Sequence, residues 1–336
     1  MAVNRRDFLK LSAAGIGCAL VDEVGAVQRE SKQLSPDAVG MLYDSTLCIG
    51  CKACMTACKQ ANGMPPETAG QPEAMWDTPL ETSGRTLNVI KLYQNGNAVN
   101  KDQEIDGYAF TKRHCLHCVD PSCVSACPVS AMTKDPVTGI VQHHKDRCIG
   151  CRYCVYSCPF GIPKYEYDNP FGQIQKCQFC AHLQAKGEIP ACCDVCPTGA
   201  SLFGRVDDLK REAGRRLGMQ AGEEYEYPRG KLGAGRPDHV ARAPTYLKHV
   251  YGEKELGGTQ VMYMSAVPFD KIGLPVNVPD YAYPALSEGI QHMLYKWMIA
   301  PTVLLGGLLV VVGRNTRDKG KDESADADEK SDKGAT

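Results

Sequence analysis

Sixteen of the eighteen cysteines in this 336-residue chain stand in four groups of four, and their spacing constrains the fold more than any other feature. The groups are Cys48, Cys51, Cys54 and Cys58; Cys115, Cys118, Cys123 and Cys127; Cys148, Cys151, Cys154 and Cys158; and Cys177, Cys180, Cys192 and Cys196. Three of the groups run into a Cys-Pro step, at Pro128, Pro159 and Pro197. Three thiolates within seven residues, separated by small steps such as Ile49-Gly50, force a tight loop whose sulfurs converge on one face of a 4Fe-4S cube. A short helix then carries the fourth cysteine away from that cube. Zinc, by contrast, prefers Cys-x2-Cys pairs split by a longer finger, and three near-contiguous ligands fit that geometry poorly.

The stretch CIGCKACMTAC at 48–58 recurs as CIGCRYCVYSC at 148–158, so one unit is duplicated within the chain. Each copy follows an apolar, strand-like run, Met41-Leu42-Tyr43 and Gly139-Ile140-Val141. The second group spaces Cys118 from Cys123 by four residues including Pro121, and the fourth places eleven residues between Cys180 and Cys192. These insertions lengthen the path between ligands without removing any. The Cys-x2-Cys-x2-Cys-x3-Cys-Pro spacing is that of bacterial ferredoxins, in which the fourth cysteine of each run reaches a neighbouring cluster.

On these residues the chain resembles the four-cluster iron-sulfur subunits of the DMSO reductase, formate dehydrogenase and hydrogenase-2 type. The resemblance covers residues 40–205, with all sixteen ligand positions filled. It implies an α+β fold of duplicated bacterial-ferredoxin-like dicluster domains, and four 4Fe-4S clusters in two interlocked units. Carried onto this sequence, cluster one takes Cys48, Cys51, Cys54 and Cys196, and cluster two takes Cys58, Cys177, Cys180 and Cys192. Cluster three takes Cys115, Cys118, Cys123 and Cys158, and cluster four takes Cys127, Cys148, Cys151 and Cys154. Lys59 stands where the family has proline after Cys58, which changes the helix start and leaves the ligand set intact. The register ending at Cys196-Pro197 makes Cys192 the ligand and Cys193 a buried bystander, the alternative being that Cys193 is itself a ligand or a reactive thiol. Cys18, in the N-terminal apolar segment, reads as a small hydrophobe.

Residues 1–26 read as a twin-arginine export signal. Arg5-Arg6 precede a weakly apolar run from Leu11 to Val21 that is too short to span a bilayer, with Val24-Gly25-Ala26 as a cleavage site. That route moves folded, cofactor-loaded proteins, so the clusters would be built before the thiols meet an oxidising compartment. Near the other end, Trp297–Gly313 carries no ionisable residue. Its seventeen residues cover about 26 Å, and with the residues from Met293 they make a single transmembrane helix over 293–313. Arg314, Arg317, Lys319 and Lys321 follow at once, which places the tail, 314–336, in the cytoplasm and the cluster region in the periplasm. The tail mixes Asp, Glu, Lys, Ser and Ala with no apolar period and reads as disordered.

Between clusters and anchor, a Gly/Pro-punctuated extension, 206–290, is expected to wrap the cluster region or a partner, with a helix at Asp207–Leu217 and a strand at Thr259–Val267. The turn Gly233-Ala234-Gly235 lacks the context of a nucleotide site, and no Cys-x2-Cys-His is present for covalent haem. A formal net charge of −1 without a basic stripe argues against nucleic acid. His114, His117, His143 and His144 flank cluster loops and read as surface or supporting residues, and His292 before the anchor reads as an interface residue rather than a quinone contact. With every grouped thiolate committed to a cube, none is left for nickel or molybdenum, so the chain is expected to be a non-catalytic electron-transfer subunit. The resemblance implies a catalytic partner and a quinone-binding integral membrane subunit. Met41–Cys48, Tyr251–Lys254 and Gly257–Val261, together with the signal and the anchor, look like the hydrogenase-2 type, which implies a NiFe hydrogenase. A molybdopterin oxidoreductase such as formate dehydrogenase is the alternative, and an assembly or sensor protein a more distant one.

Overall fold

The computed structural model describes residues 28–66, 77–167, 169–234 and 237–332. The twin-arginine segment 1–26 with Cys18, Gly235, and the tail from 333 on lie outside the described residues. The chain opens with β1 (Val39–Asp44), α1 (Ala53–Ala61), β2 (Val89–Gln94), β3 (Asn100–Lys101), β4 (Gly107–Arg113) and α2 (Ser122–Ser125). Next come β5 (Met132–Lys134), β6 (Val141–His143), α3 (Tyr153–Ser157), β7 (Lys164–Tyr165), β8 (Ile174–Gln175), α4 (Ala181–Gln184) and α5 (Ala191–Asp194). They are followed by β9 (Ser201–Arg205), α6 (Val206–Leu217), β10 (Glu224–Tyr227), β11 (His239–Arg242), β12 (Val261–Met264) and the long helix α7 (Tyr283–Asp332). Residues 30–285 make one compact unit, and α7 from Leu286 belongs to a second.

In the first unit the central sheet runs β12-β1-β9, with β1 parallel to β12 and antiparallel to β9. Side chains alternate across a strand, so each strand serves two cores. Met41 and Tyr43 of β1, Phe203 of β9, and Val261 and Tyr263 of β12 face a large apolar cluster that includes Cys48, Cys54, Cys115, Cys192 and Cys196. Leu42, Leu202, Met262 and Met264 face the other way, onto Leu209 and Ala213 of α6. Helix α6 carries Asp207 and Asp208 in its first turn and Arg215 and Arg216 in its last, which suits the helix dipole at both ends. Fully buried Arg216 donates to Glu212 Oε1 and Asp44 Oδ2, both at 2.8 Å, and lies over the Tyr227 ring. Losing one partner of a buried pair like this leaves a charge uncompensated, at a cost of about 3–5 kcal/mol. The network therefore fixes α6 to β1 and, through β1, to the cysteine-rich side.

The strand expected over Thr259–Val267 is confined to Val261–Met264, because the residues before it are engaged elsewhere. Val119 N–H donates to Gly258 O at 2.9 Å, and Gln260 N–H donates to Leu116 O at 3.2 Å. The extension is thus stitched by its backbone to the loop between Cys115 and Cys123.

In the second unit, Tyr283–Val310 is long and apolar enough to cross a membrane, and none of its apolar window is buried. Pro301 lies within the helix. The helix starts ten residues earlier than the span expected from sequence, 293–313, and continues to Asp332 through residues expected to be disordered. Asp, Glu, Lys and Ala dominate that stretch; most of them carry little helix penalty, and extending an existing helix avoids the cost of nucleation.

Candidate functional site

The four cysteine groups share one backbone device. The residue just before the second cysteine has a left-handed φ in every group: Gly50 at 69°, His117 at 49°, Gly150 at 69° and Phe179 at 54°. Such a turn swings successive N–H groups to one side and makes an anion-binding concavity of the kind found at iron-sulfur sites. For His117 and Phe179 the conformation costs on the order of 1 kcal/mol or more, which the surrounding structure has to offset. Gly50 is fixed twice over, since a Cβ there would also meet the Phe110 ring at 2.4 Å. Lys52 and Arg152 follow in the same region, at 59° and 65°, and open α1 and α3. The third cysteine of each copy, Cys54 or Cys154, therefore sits in the first turn of a helix, and both are buried.

The seventeen cysteines among the described residues are free thiols. Their mutual electrostatic influence sorts them into sets. Cys54 feels Cys48 and Cys196, and Cys48 feels Cys196, while Cys51 of the same loop is exposed. Cys58 feels Cys192 and Cys180, and one cavity is lined by Cys58, Cys177, Cys180 and Cys192 together. Cys118 feels Cys158, Cys115 and Cys123. Cys154 feels Cys148, Cys151 and Cys127. In three of the sets one member comes from a remote part of the chain: Cys196 in the first, Cys58 in the second and Cys158 in the third. The sets also lie within electrostatic reach of one another in order. Cys54 feels Cys192, Cys177 feels Cys115, and Cys123 feels Cys154, which links first to second, second to third and third to fourth.

Burial, reinforced by neighbouring thiols, pushes Cys58 and Cys123 up to about 12 and Cys154 up to about 11. Four thiolates side by side therefore need a cationic centre to hold them, and iron bonded to sulfur supplies one. Among the described residues no three Cys, His, Asp or Glu side chains converge as a single ion requires. A cubane makes a different demand, since each of its four thiolates bonds a different iron corner. Donors suited to cluster sulfur line the loops. Ala131 N–H donates to Cys127 Sγ at 3.2 Å and Phe179 N–H to Cys177 Sγ at 3.4 Å. His117 Nδ1 accepts from Val141 N–H at 3.0 Å, which leaves the proton on Nε2, a buried atom without a protein partner. An N–H needing an acceptor inside a thiol-rich loop fits a sulfide-bearing cluster.

His114, His117 and His143 are buried, which fits the supporting reading and not the surface one, and burial holds all three below the ordinary histidine range, His143 at about 4. Several contributing lysines escape a reading of the sequence. Lys134 donates to Cys118 O, Gly139 O and Gln260 Oε1, and burial pulls it down to about 8. Lys176 donates to Val141 O and Cys177 O. Lys112, on β4, is fully buried; burial opposes its charge, but the thiols of Cys192 and Cys54 outweigh that and hold it well above the usual lysine range. The only hint in the sequence is a lysine at the third position before Cys115.

Adjacent Cys192 and Cys193 are distinguished by their surroundings. The neighbouring Cys193 thiol, assisted by Lys112 against the effect of burial, pulls Cys192 below the ordinary thiol range, while burial beside that thiolate raises Cys193. Cys192→Ser is accordingly expected to remove or convert one cluster, and Cys193→Ser to leave the iron content unchanged, as read by iron analysis of anaerobically purified protein. The opposite result would make Cys193 the ligand.

A family model described as a 4Fe-4S dicluster domain matches residues 107–206. The hydrogenase-2 operon protein HybA of Escherichia coli is 46% identical over 331 residues, covering 96% of this chain and 99% of its own length. The formate dehydrogenase-O iron-sulfur subunit of Escherichia coli is 30% identical, covering 88% of this chain and 86% of its own length. The nitrate-inducible formate dehydrogenase iron-sulfur subunit of the same organism is 32% identical, covering 82% of each chain.

Proposed function

The chain belongs to the family of HybA and the formate dehydrogenase iron-sulfur subunits, and on that premise we propose that it relays electrons from a NiFe hydrogenase catalytic unit to a quinone-reactive membrane subunit. The observation that carries this reading is the ordered electrostatic proximity of the four thiol sets, first to second to third to fourth, which supports a path with two ends. Four 4Fe-4S clusters, held by the sixteen grouped cysteines in two interlocked dicluster units, supply single-electron storage along it. The chain's own residues bind and space those centres. The left-handed loops aim backbone N–H groups at sulfur, the β12-β1-β9 sheet walls off one side, and the apolar cluster around Cys48, Cys54 and Cys192 excludes water. At the catalytic partner each hydrogen molecule gives two protons and two electrons. The electrons pass singly through this chain, and the quinone takes up both with two protons.

Near-complete coverage at 46% identity favours the hydrogenase partner over a molybdopterin oxidoreductase. The apolar stretch Tyr283–Val310 supports a single-pass anchor. Export by the twin-arginine route would put the cluster unit in the periplasm and the tail in the cytoplasm. The complex purified anaerobically with its partners should lose thiolate-to-iron absorption within seconds of exposure to hydrogen, and should not respond to formate. Bleaching by formate alone would replace the hydrogenase with a molybdopterin partner.

A further inference from the structure

We propose that Lys112 is a buried, fixed cation that raises the reduction potentials of the first and second clusters; the inference rests on the four-cluster reading above. Lys112 lies opposite Ile90 in the β2–β4 pair and is fully buried. Its Nζ reaches the cysteine-rich side of the central sheet, 3.2 Å from Ser201 Oγ and 3.7 Å from Met41 Sδ. It lines one cavity with Cys58, Cys177, Cys180 and Cys192 of the second set, and Cys54 of the first set lies within its electrostatic reach.

The other buried cations of this unit are satisfied by other means. Arg216 has Asp44 and Glu212. Lys59 donates to Pro65 O, Arg85 O and Thr86 Oγ1, and Lys176 and Lys134 donate mainly to backbone carbonyls. Lys112 donates to a hydroxyl and a thioether, and among the described residues no carboxylate bonds it. An ammonium taken out of water costs several kcal/mol unless an anion balances it. The anions within reach are the cysteine thiolates at the junction of the two sets, so the charge of Lys112 is compensated by the cluster sites themselves. Coupling of that kind works in both directions. A cluster gains one negative charge on reduction, and a cation held beside it in a medium of low dielectric favours the reduced form. Lys112 is therefore a positioning residue for charge, acting on the first pair of clusters and not on the fourth.

The test is an anaerobic redox titration of the purified full-length chain in its complex, followed by electron paramagnetic resonance, for wild type, Lys112→Met and Lys112→Arg. In Lys112→Met the ratio of reduced to oxidised cluster at a fixed potential should fall at least tenfold for one or two of the four clusters, about 59 mV for a one-electron couple. The remaining clusters should hold their potentials, the iron content should be unchanged, and Lys112→Arg should stay close to wild type. Should Lys112→Met lose iron, Ser201→Asp gives the same reading without removing the lysine: a carboxylate beside Nζ cancels its field, and the same clusters should shift downward. Unmoved potentials in an iron-complete Lys112→Met or Ser201→Asp protein would overturn the proposal, as would equal shifts in the Met and Arg variants, which would mark a packing role. A wild type with fewer than four clusters would sink the four-cluster reading as well, so the two failures are distinguishable.

Discussion

Deleting this chain is expected to abolish hydrogen-dependent quinone reduction while leaving hydrogen oxidation by a soluble artificial dye largely intact. The reason is division of labour. On the proposed assignment the sixteen grouped cysteines hold four clusters and Cys193 is a buried free thiol beside Cys192, so no thiolate cluster is left among the described residues for a nickel centre. What the chain contributes is a connected series of sites between two ends, and removing it opens a gap that electrons cannot cross at a useful rate. A dye that collects electrons directly from the catalytic partner does not depend on that series. Membranes from the deletion strain, assayed with hydrogen and a quinone and then with hydrogen and the dye, separate the two activities. Survival of hydrogen-dependent quinone reduction, with loss of formate- or other substrate-linked respiration, would move the chain to a molybdopterin enzyme.

Replacing Arg5 and Arg6 together with Lys is expected to trap the protein in the cytoplasm. The paired arginines precede an apolar run too short to span, and the cysteine sets require the folded, loaded state that this export route accepts. In wild-type spheroplasts, added protease should digest the unit spanning residues 30–285. A short fragment beginning in α7 should survive if, as the positive-inside rule predicts, Arg314, Arg317, Lys319 and Lys321 keep the far end of the helix in the cytoplasm. Fractionation and immunoblotting read both outcomes, and cleavage confined to the tail would invert the topology.

The grouping of the cysteines is legible in the sequence because spacing is a local property: the three-residue steps that bring thiols together in one loop are written into neighbouring positions. The remote partners were not legible from spacing. That Cys196 lies with Cys48 and Cys54, or Cys158 with Cys115 and Cys118, depends on how the central sheet and short helices fold back, and only the resemblance to a family implied it. Lys112 was hidden for the same reason. In Phe110-Thr111-Lys112-Arg113 it looks like a solvent-facing strand residue, and it is buried only because β1 and β9, some seventy and ninety residues away, bring Met41 and Ser201 over it. Which of the histidines are buried is not legible in the sequence, because a polar residue beside a loop is usually exposed, whereas here the loops themselves form the core. Hydropathy marks the apolar stretch of α7 and says little about a polar continuation that helix propensity can extend, so the helix runs past both ends of the span expected from sequence.

The central claim is that four complete thiol quartets each hold a 4Fe-4S cluster, and the most direct measurement is metal and acid-labile sulfide analysis of protein purified without oxygen. Four cubes at four irons each require sixteen iron atoms and sixteen sulfides per chain, with the broad visible absorption of thiolate-to-iron charge transfer and negligible zinc. Zinc in stoichiometric amount, or iron at eight atoms per chain, would contradict the account.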